Sequence, residues 1–154
     1  MNIRTRAALL LFGGLVLLSI GGAHAQSRGF GVGIILGEPT GVSFKGWVSQ
    51  ENAIDGGLAW AFGKGGRFHL HADYLWHFNL NMAAGEDFRF YTGIGGRFAA
   101  GSDAIFGARI PLGLVWLPKG APLDVFVEIV PILDLAPATK FRGNGGIGAR
   151  FFFP

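Results

Sequence analysis

The sequence has no cysteine and few charged residues, and both shortages limit what the protein can be. Without cysteine there is no disulfide framework, no thiolate metal site and no cysteine to carry a lipid anchor. Charged residues make up 15% of the 154 residues, whereas about 25% is usual for a soluble domain. A chain this apolar is not expected to bind nucleic acid or to be disordered.

The first 25 residues have the layout of a secretory signal peptide. Arg4 and Arg6 form a positively charged start, residues 7–20 are apolar, and Ala23-His24-Ala25 is a small-x-small cleavage site. The alternative is an uncleaved membrane anchor, but the apolar run is shorter than the roughly 20 residues that span a bilayer. No later apolar run is long enough for a membrane helix.

We therefore predict two parts, a cleaved signal peptide at 1–25 and one domain at 26–154. Cleavage of the signal peptide would remove Arg4 and Arg6, two of the 13 basic residues, and would leave all 10 acidic residues in the domain. The remaining domain is close to neutral, and this argues against a basic surface for nucleic acid.

Glycine is abundant, at 27 residues, and glycine-rich or polar breaks recur at regular intervals along the domain. Several breaks have turn chemistry, as in Gly37-Glu38-Pro39 and Pro118-Lys119-Gly120. The segments between them suit tilted membrane strands, which need about 9–11 residues. We predict eight strands, at 28–36, 40–48, 53–62, 67–78, 88–98, 106–117, 122–134 and 144–153.

Side chains alternate in character along these strands. In 67–78 the even positions read Phe, Leu, Ala, Tyr, Trp and Phe, while the odd positions read Arg, His, His, Asp, Leu and His. Because successive side chains of a strand point to opposite faces, one face is apolar and the other ionisable. Six of the strands follow this pattern.

The charged face carries arginines and acids in equal number, without lysine on those six strands. Arginine suits buried ion pairs because its planar fork matches a carboxylate. Small residues such as Gly95 and Gly113 share this face and would leave room for long side chains. The predicted network consists of Asp55, Arg67, His69, His71, Asp73, Arg89, Arg97, Arg109, Asp124, Glu128, Asp134 and Arg150.

A soluble sandwich or a lipocalin-like barrel would bury the apolar face, whereas a membrane barrel turns it to lipid. The balanced charges, the small residues beside them and aromatic side chains near both strand ends favour the membrane. Lipid cannot satisfy an open strand edge, so the sheet must close. We predict an all-β fold, an eight-stranded antiparallel up-and-down transmembrane β-barrel, with Trp47, Phe126 and Phe152 also filling the lumen.

This layout resembles the small outer-membrane barrels of the OmpA and OmpX kind. The opening run from Gly31 to Gly41 resembles that of a family of short, mostly uncharacterised outer-membrane β-barrel proteins. The last strand resembles the terminal assembly signal of outer-membrane proteins, through Gly148, Phe151 and Phe153, although Pro154 follows the final aromatic residue.

The resemblance implies an outer-membrane location, contact with membrane lipid and lipopolysaccharide, and biogenesis by the secretion channel, periplasmic chaperones and the barrel-assembly machinery. It also implies a monomer. The outward loops are predicted at 37–39, 63–66, 99–105 and 135–143, and all are short.

Three functions remain open: a structural or interaction protein with a plugged lumen, a narrow transport channel, and a lipid-modifying enzyme. His69, His71 and Asp73 share one strand face and could chelate a metal, but such groups more often join ion-pair networks. Ser43, His69 and Asp55 could be cast as a hydrolytic group, yet nothing in their spacing requires it. We predict no enzymatic activity, no cofactor, no metal and no nucleic-acid partner.

Overall fold

The computed structural model describes residues 29–61, 67–82 and 85–154. The predicted signal peptide lies outside these residues, as do Phe62 and the predicted loop at 63–66. Among the residues described, no helix is long and apolar enough to span a bilayer.

The described chain is built from β-strands joined by short connections. The strands are β1 (Phe30–Glu38), β2 (Gly41–Trp47), β3 (Asn52–Ala61), β4 (Arg67–Asn79), β5 (Asp87–Ala100), β6 (Ala104–Arg109), β7 (Leu112–Leu117), β8 (Leu123–Ala136) and β9 (Lys140–Phe153).

The strands close into a ring in which every neighbouring pair is antiparallel. β6 and β7 share one place between β5 and β8, so the ring has eight positions. β1 and β9 close it, with registers running from Phe30 opposite Phe153 to Glu38 opposite Gly145. Closure leaves no open sheet edge, and the predicted eight-stranded up-and-down barrel is confirmed.

The first residue of β1 and the last residue of β9 lie opposite each other at one rim of the ring, which we call the terminal end. The connections β2–β3 and β7–β8 lie there as well, with the end of β4 and the start of β5. The connections β1–β2, β5–β6 and β8–β9 lie at the opposite rim, the loop end, with the end of β3 and the start of β4.

The predicted strand 106–117 is divided in two, and this part of the prediction is wrong. Pro111 interrupts it, because proline has no N–H to give to the ladder. The neighbouring backbone groups remain bonded: Gly93 N–H donates to the Pro111 carbonyl at 3.1 Å, and Ile110 N–H donates to the Pro131 carbonyl at 3.0 Å. The inward and outward alternation continues across the break.

The predicted loops 99–105 and 135–143 are also too long. β5 continues to Ala100, β6 begins at Ala104, and β8 and β9 pair as far as Asp134 opposite Lys140. This part of β9 is rich in glycine and polar residues and lacks hydrophobic contrast, so the sequence alone did not predict a strand there. In the described part of the chain, the connections at the loop end therefore span only about residues 39–40, 101–103 and 137–139.

Apolar side chains cover the outside of the ring, and polar ones fill the inside. Ile94, Ile129 and Ile34 are 59%, 63% and 57% exposed, although each lies within a strand. The buried polar side chains are Ser43, Lys45, Asp55, His69, His71, Asp73, His77, Arg109, Asp124, Glu128, Asp134 and Arg150. This polarity is the reverse of that of a soluble barrel.

Glycines on the inner face make room for the large side chains of neighbouring strands. A Cβ added at Gly148 would lie 2.6 Å from Cε1 of Phe126 and 2.5 Å from the carbonyl oxygen of Ile34. A Cβ added at Gly143, on the same strand, would meet nothing within 4 Å.

We expect Gly148→Ala to lower the free energy of unfolding by about 1–3 kcal/mol, because it overpacks the lumen. Gly143→Ala is the matched control on β9 and should change stability by less than about 0.5 kcal/mol. Denaturant unfolding of the refolded barrels in detergent measures both. Equal effects of the two substitutions would contradict the packing described here.

Candidate functional site

The lumen is the place where the polar side chains of the chain converge. They come from alternate positions of β2, β3, β4, β5, β6, β8 and β9, and the strand period of two directs all of them inward. Their contacts divide them into three groups, which we call the terminal, central and loop groups.

The terminal group is centred on Arg150, whose residue is 1% exposed. Its Nε donates to Oδ1 of Asp124 at 3.0 Å, and its Nη1 lies 3.3 Å from Oδ2 of Asp55 and from the hydroxyl of Ser43. The guanidinium also stands 4.0 Å from the centre of the Phe126 ring. One arginine of β9 is thus linked to side chains of β2, β3 and β8.

Lys45 completes the terminal group and is fully buried. Its Nζ lies 2.9 Å from Nε2 of His77 and 3.4 Å from Oδ2 of Asp124. The ammonium is also 4.4 Å from the centre of the Trp47 ring, within the range of a cation–π interaction. The sequence prediction omitted Lys45 because β2 was not among the six strands whose faces were assigned.

The central group joins Arg109 to two carboxylates. Its Nε is 2.9 Å from Oδ1 of Asp73 and its Nη2 is 2.9 Å from Oδ2, so this pair is bidentate. Nη2 also lies 3.9 Å from Oε1 of Glu128, whose other oxygen accepts a 2.8 Å hydrogen bond from the hydroxyl of Tyr91. Tyr91 was not predicted either, although its odd number places it on the charged face of β5.

The loop group is built around Asp134, which binds two arginines. Arg97 donates to Oδ1 through Nε at 2.9 Å and through Nη2 at 2.6 Å. Arg142 donates to Oδ2 through Nε at 2.8 Å. Arg142 was not predicted, because it falls in the predicted loop 135–143 and the strand character of its segment was not recognised.

Four of the predicted network residues lie outside these ion pairs. Arg67 is exposed at the loop end. Arg89 pairs with Asp87 at 2.8 Å at the terminal end. The rings of His69 and His71 meet edge to face at 5.5 Å and bury one nitrogen each without a hydrogen-bond partner among the described residues.

Asp55, His71 and Asp73 could offer ligand atoms to a metal, since one atom of each lies within 4.8 Å of the others. Both carboxylates are already engaged, however, Asp73 by Arg109 and Asp55 by Arg150. The arrangement therefore fits an ion-pair network better than a metal centre.

Ser43, His69 and Asp55 do not form a nucleophilic group in the described part of the chain. The hydroxyl of Ser43 accepts a hydrogen bond from Arg150, and no hydrogen bond joins His69 to either of the other two residues there. A serine nucleophile needs a base within hydrogen-bond reach.

No protein-family model matches this sequence, and no curated protein is significantly similar to it. The N-terminal β-barrel domain of Pseudomonas aeruginosa OprF aligns with a TM-score of 0.57 at 12% identity, over 80% of this chain and 95% of that one. This chain has the architecture of the small eight-stranded outer-membrane β-barrels.

Two further solved structures align over similar lengths. Neisserial surface protein A (NspA) gives a TM-score of 0.49 at 11% identity, over 80% of this chain and 93% of that one. Ail, the attachment invasion locus protein of Yersinia pestis, gives 0.43 at 13% identity, over 81% and 94%.

We expect Arg109→Met to lower the free energy of unfolding by about 3–5 kcal/mol, because it strands the buried charge of Asp73. Arg67→Met removes an exposed guanidinium and should cost less than about 0.5 kcal/mol. Denaturant unfolding in detergent measures both.

The double variant Arg109→Met with Asp73→Asn separates the ion pair from general packing. Its cost should be smaller than the sum of the two single costs, because the partners act as a unit. Strict additivity of the two substitutions would show that the pair does not stabilise the lumen.

Proposed function

We propose that this protein is an integral outer-membrane β-barrel with a closed lumen, and that its role is structural or one of interaction rather than catalysis or transport. The filling of the lumen in its terminal half is the observation that carries the proposal.

Membrane insertion is supported by the outer surface of the ring. Its strands expose large apolar side chains at every level, and aromatic side chains gather near both ends, as expected for the two membrane interfaces. At the terminal end, the exposed rings include Phe30, Trp76, Phe78, Trp116, Phe151 and Phe153. At the loop end they include Trp60, Phe106 and Phe141.

Trp116 has the geometry of an interfacial anchor. Its ring stacks on Phe88 with centroids 6.1 Å apart, while its indole N–H donates to Oε2 of Glu86 at 2.8 Å. A side chain with one apolar side and one polar contact suits the boundary between lipid and water.

The closed lumen is supported by five large side chains packed across it. Leu75 and Tyr91 have no exposed surface, Phe152 and Phe126 are 1% and 2% exposed, and Trp47 is 8% exposed. The ion pairs of Arg150 and Lys45 occupy the space beside them. An eight-stranded ring has an interior just wide enough for side chains, so this filling leaves no room for a water-filled path.

The orientation follows from the termini. We place the terminal end in the periplasm and the loop end outside, facing lipopolysaccharide, with the barrel a monomer. Cleavage of residues 1–25 and delivery by periplasmic chaperones to the barrel-assembly machinery belong to the same proposal, with Gly148, Phe151 and Phe153 as the terminal assembly signal.

We expect the refolded protein to give no steady channel openings in planar bilayers, because side chains block the lumen. The double variant Trp47→Ala with Phe152→Ala removes part of the plug and is the matched positive control. A detergent gel comparing boiled and unboiled samples establishes that each protein is folded. Steady large openings of the unaltered protein would favour the narrow channel instead.

We expect Ile94→Arg to destabilise the barrel in lipid vesicles by about 2–4 kcal/mol, because it places a charge in the hydrocarbon region. Thr139→Arg, in an exposed connection at the loop end, is the control and should have little effect. Unfolding by denaturant in vesicles measures both. A neutral effect of Ile94→Arg would mean that the outer face of β5 meets water.

A further inference from the structure

A cavity of about 650 Å³ opens at the loop end, inside the ring of strands. It lies on the loop side of the large side chains that fill the terminal half of the lumen. The proposed role as a closed barrel makes no use of it. The polar side chains that line it include Glu38, Thr40, Arg67, His69, Arg97, Arg142 and Asn144.

Positive charge exceeds negative charge around this cavity. Arg97 and Arg142 share the single carboxylate of Asp134, so two guanidinium groups are opposed by one acid. Arg67 adds a third and has no ion pair in the described part of the chain. Among the described residues that line the cavity, Glu38 is the one acid.

Several hydrogen-bond donors of the cavity are uncommitted. Arg142 uses only Nε on Asp134, which leaves both of its Nη groups without a partner among residues 29–61, 67–82 and 85–154. His69 is 9% exposed, and its Nε2 is buried and has no hydrogen-bond partner there. The side chain of Arg142 is 44% exposed, so its Nη groups are free to bind a solute. A buried polar atom is normally satisfied in a folded protein, so the unpartnered Nε2 of His69 indicates a ligand.

One wall of the cavity is apolar, formed by Ala59, Ala99 and Ile105. A volume of this size lies within the usual range for small-molecule sites, which combine apolar walls with a few polar groups. The site therefore offers a guanidinium cluster for an anionic group and an apolar surface for the carbon skeleton that carries it.

We propose that this cavity binds a small, water-soluble phosphate or sulfate monoester of about the size of a monosaccharide. The planar forks of the arginines match the oxygens of such an anion. We favour a solute over a lipid headgroup because the walls of the cavity are the strands of the barrel, which separate it from the bilayer. This inference is independent of whether the lumen conducts.

Titration of the ¹⁵N-labelled barrel with glucose 6-phosphate tests the proposal, in lauryldimethylamine oxide micelles at low ionic strength to limit screening. We expect saturable changes in the amide resonances of the cavity, at Thr40, Ala99 and Asn144. Glucose lacks the anion and should give no such changes. The absence of saturable changes with glucose 6-phosphate, or equal changes with glucose, would overturn the proposal.

Charge substitutions locate the site. Arg67→Gln and Arg142→Gln should each weaken binding by about tenfold or more, because each removes a charge-assisted hydrogen bond. Lys119→Gln removes an exposed cation at the terminal end and should leave the affinity unchanged. Arg67 is exposed and outside the ion pairs, so its variant will fold, and the spectrum itself verifies this. Binding that survives both arginine substitutions would refute the assignment.

A third arm distinguishes the source of the anion. Phosphatidylglycerol added to the micelles presents a phosphate on a lipid and should leave the cavity resonances in place. If the lipid shifts them and glucose 6-phosphate does not, the ligand comes from the bilayer and the proposal of a soluble ligand is wrong.

Discussion

Charge that is removed from bulk water must find a partner close by, and this requirement organises the interior of the barrel. A lone carboxylate or guanidinium inside a narrow ring would cost several kcal/mol, whereas a bonded pair recovers most of that cost. Arg150 with Asp124 and Arg109 with Asp73 meet the requirement through paired nitrogen and oxygen atoms 2.9–3.0 Å apart. Because the partners come from different strands, the same pairs also fix how the strands face one another.

The closed ring and the ion pairs depend on each other. Closure of β1 on β9 removes the last open edge, and it also creates the lumen in which the charges meet. Long side chains fit there only because their neighbours are small, as where Tyr91 lies against Gly113 and Phe126 against Gly148. The terminal half is filled by this packing, while the loop half keeps a cavity in which arginines outnumber acids. The barrel is thus closed at its terminal end and has an open, arginine-rich cavity at its loop end.

The period-two alternation predicted the polarity of the faces and the place of most strands, because both follow from local side-chain geometry. Closure of the ring was predicted separately, because lipid cannot satisfy an open strand edge. The alternation could not predict which partners meet, since the contact of Arg109 with Asp73 depends on register across the ring. Lys45 was missed because it is the one charged residue of β2, too weak a signal to assign the faces of that strand. Tyr91 was missed because its ring does not stand out among the aromatic residues of β5. The break at Pro111 depends on a single absent N–H, and the extension of β9 lies in a glycine-rich stretch without hydrophobic contrast.

The central claim is that charged side chains face a closed interior while apolar ones face lipid. The chain has no cysteine, so single cysteines can be introduced along the outer face of β8, at Val125, Val127, Ile129 and Leu133, and labelled with a nitroxide. The labelled barrels are then reconstituted in vesicles. The account predicts that molecular oxygen, which concentrates in lipid, relaxes these labels strongly, that a water-soluble nickel chelate does not, and that the contrast is greatest near Ile129. Free access of the nickel chelate along the whole strand would contradict it.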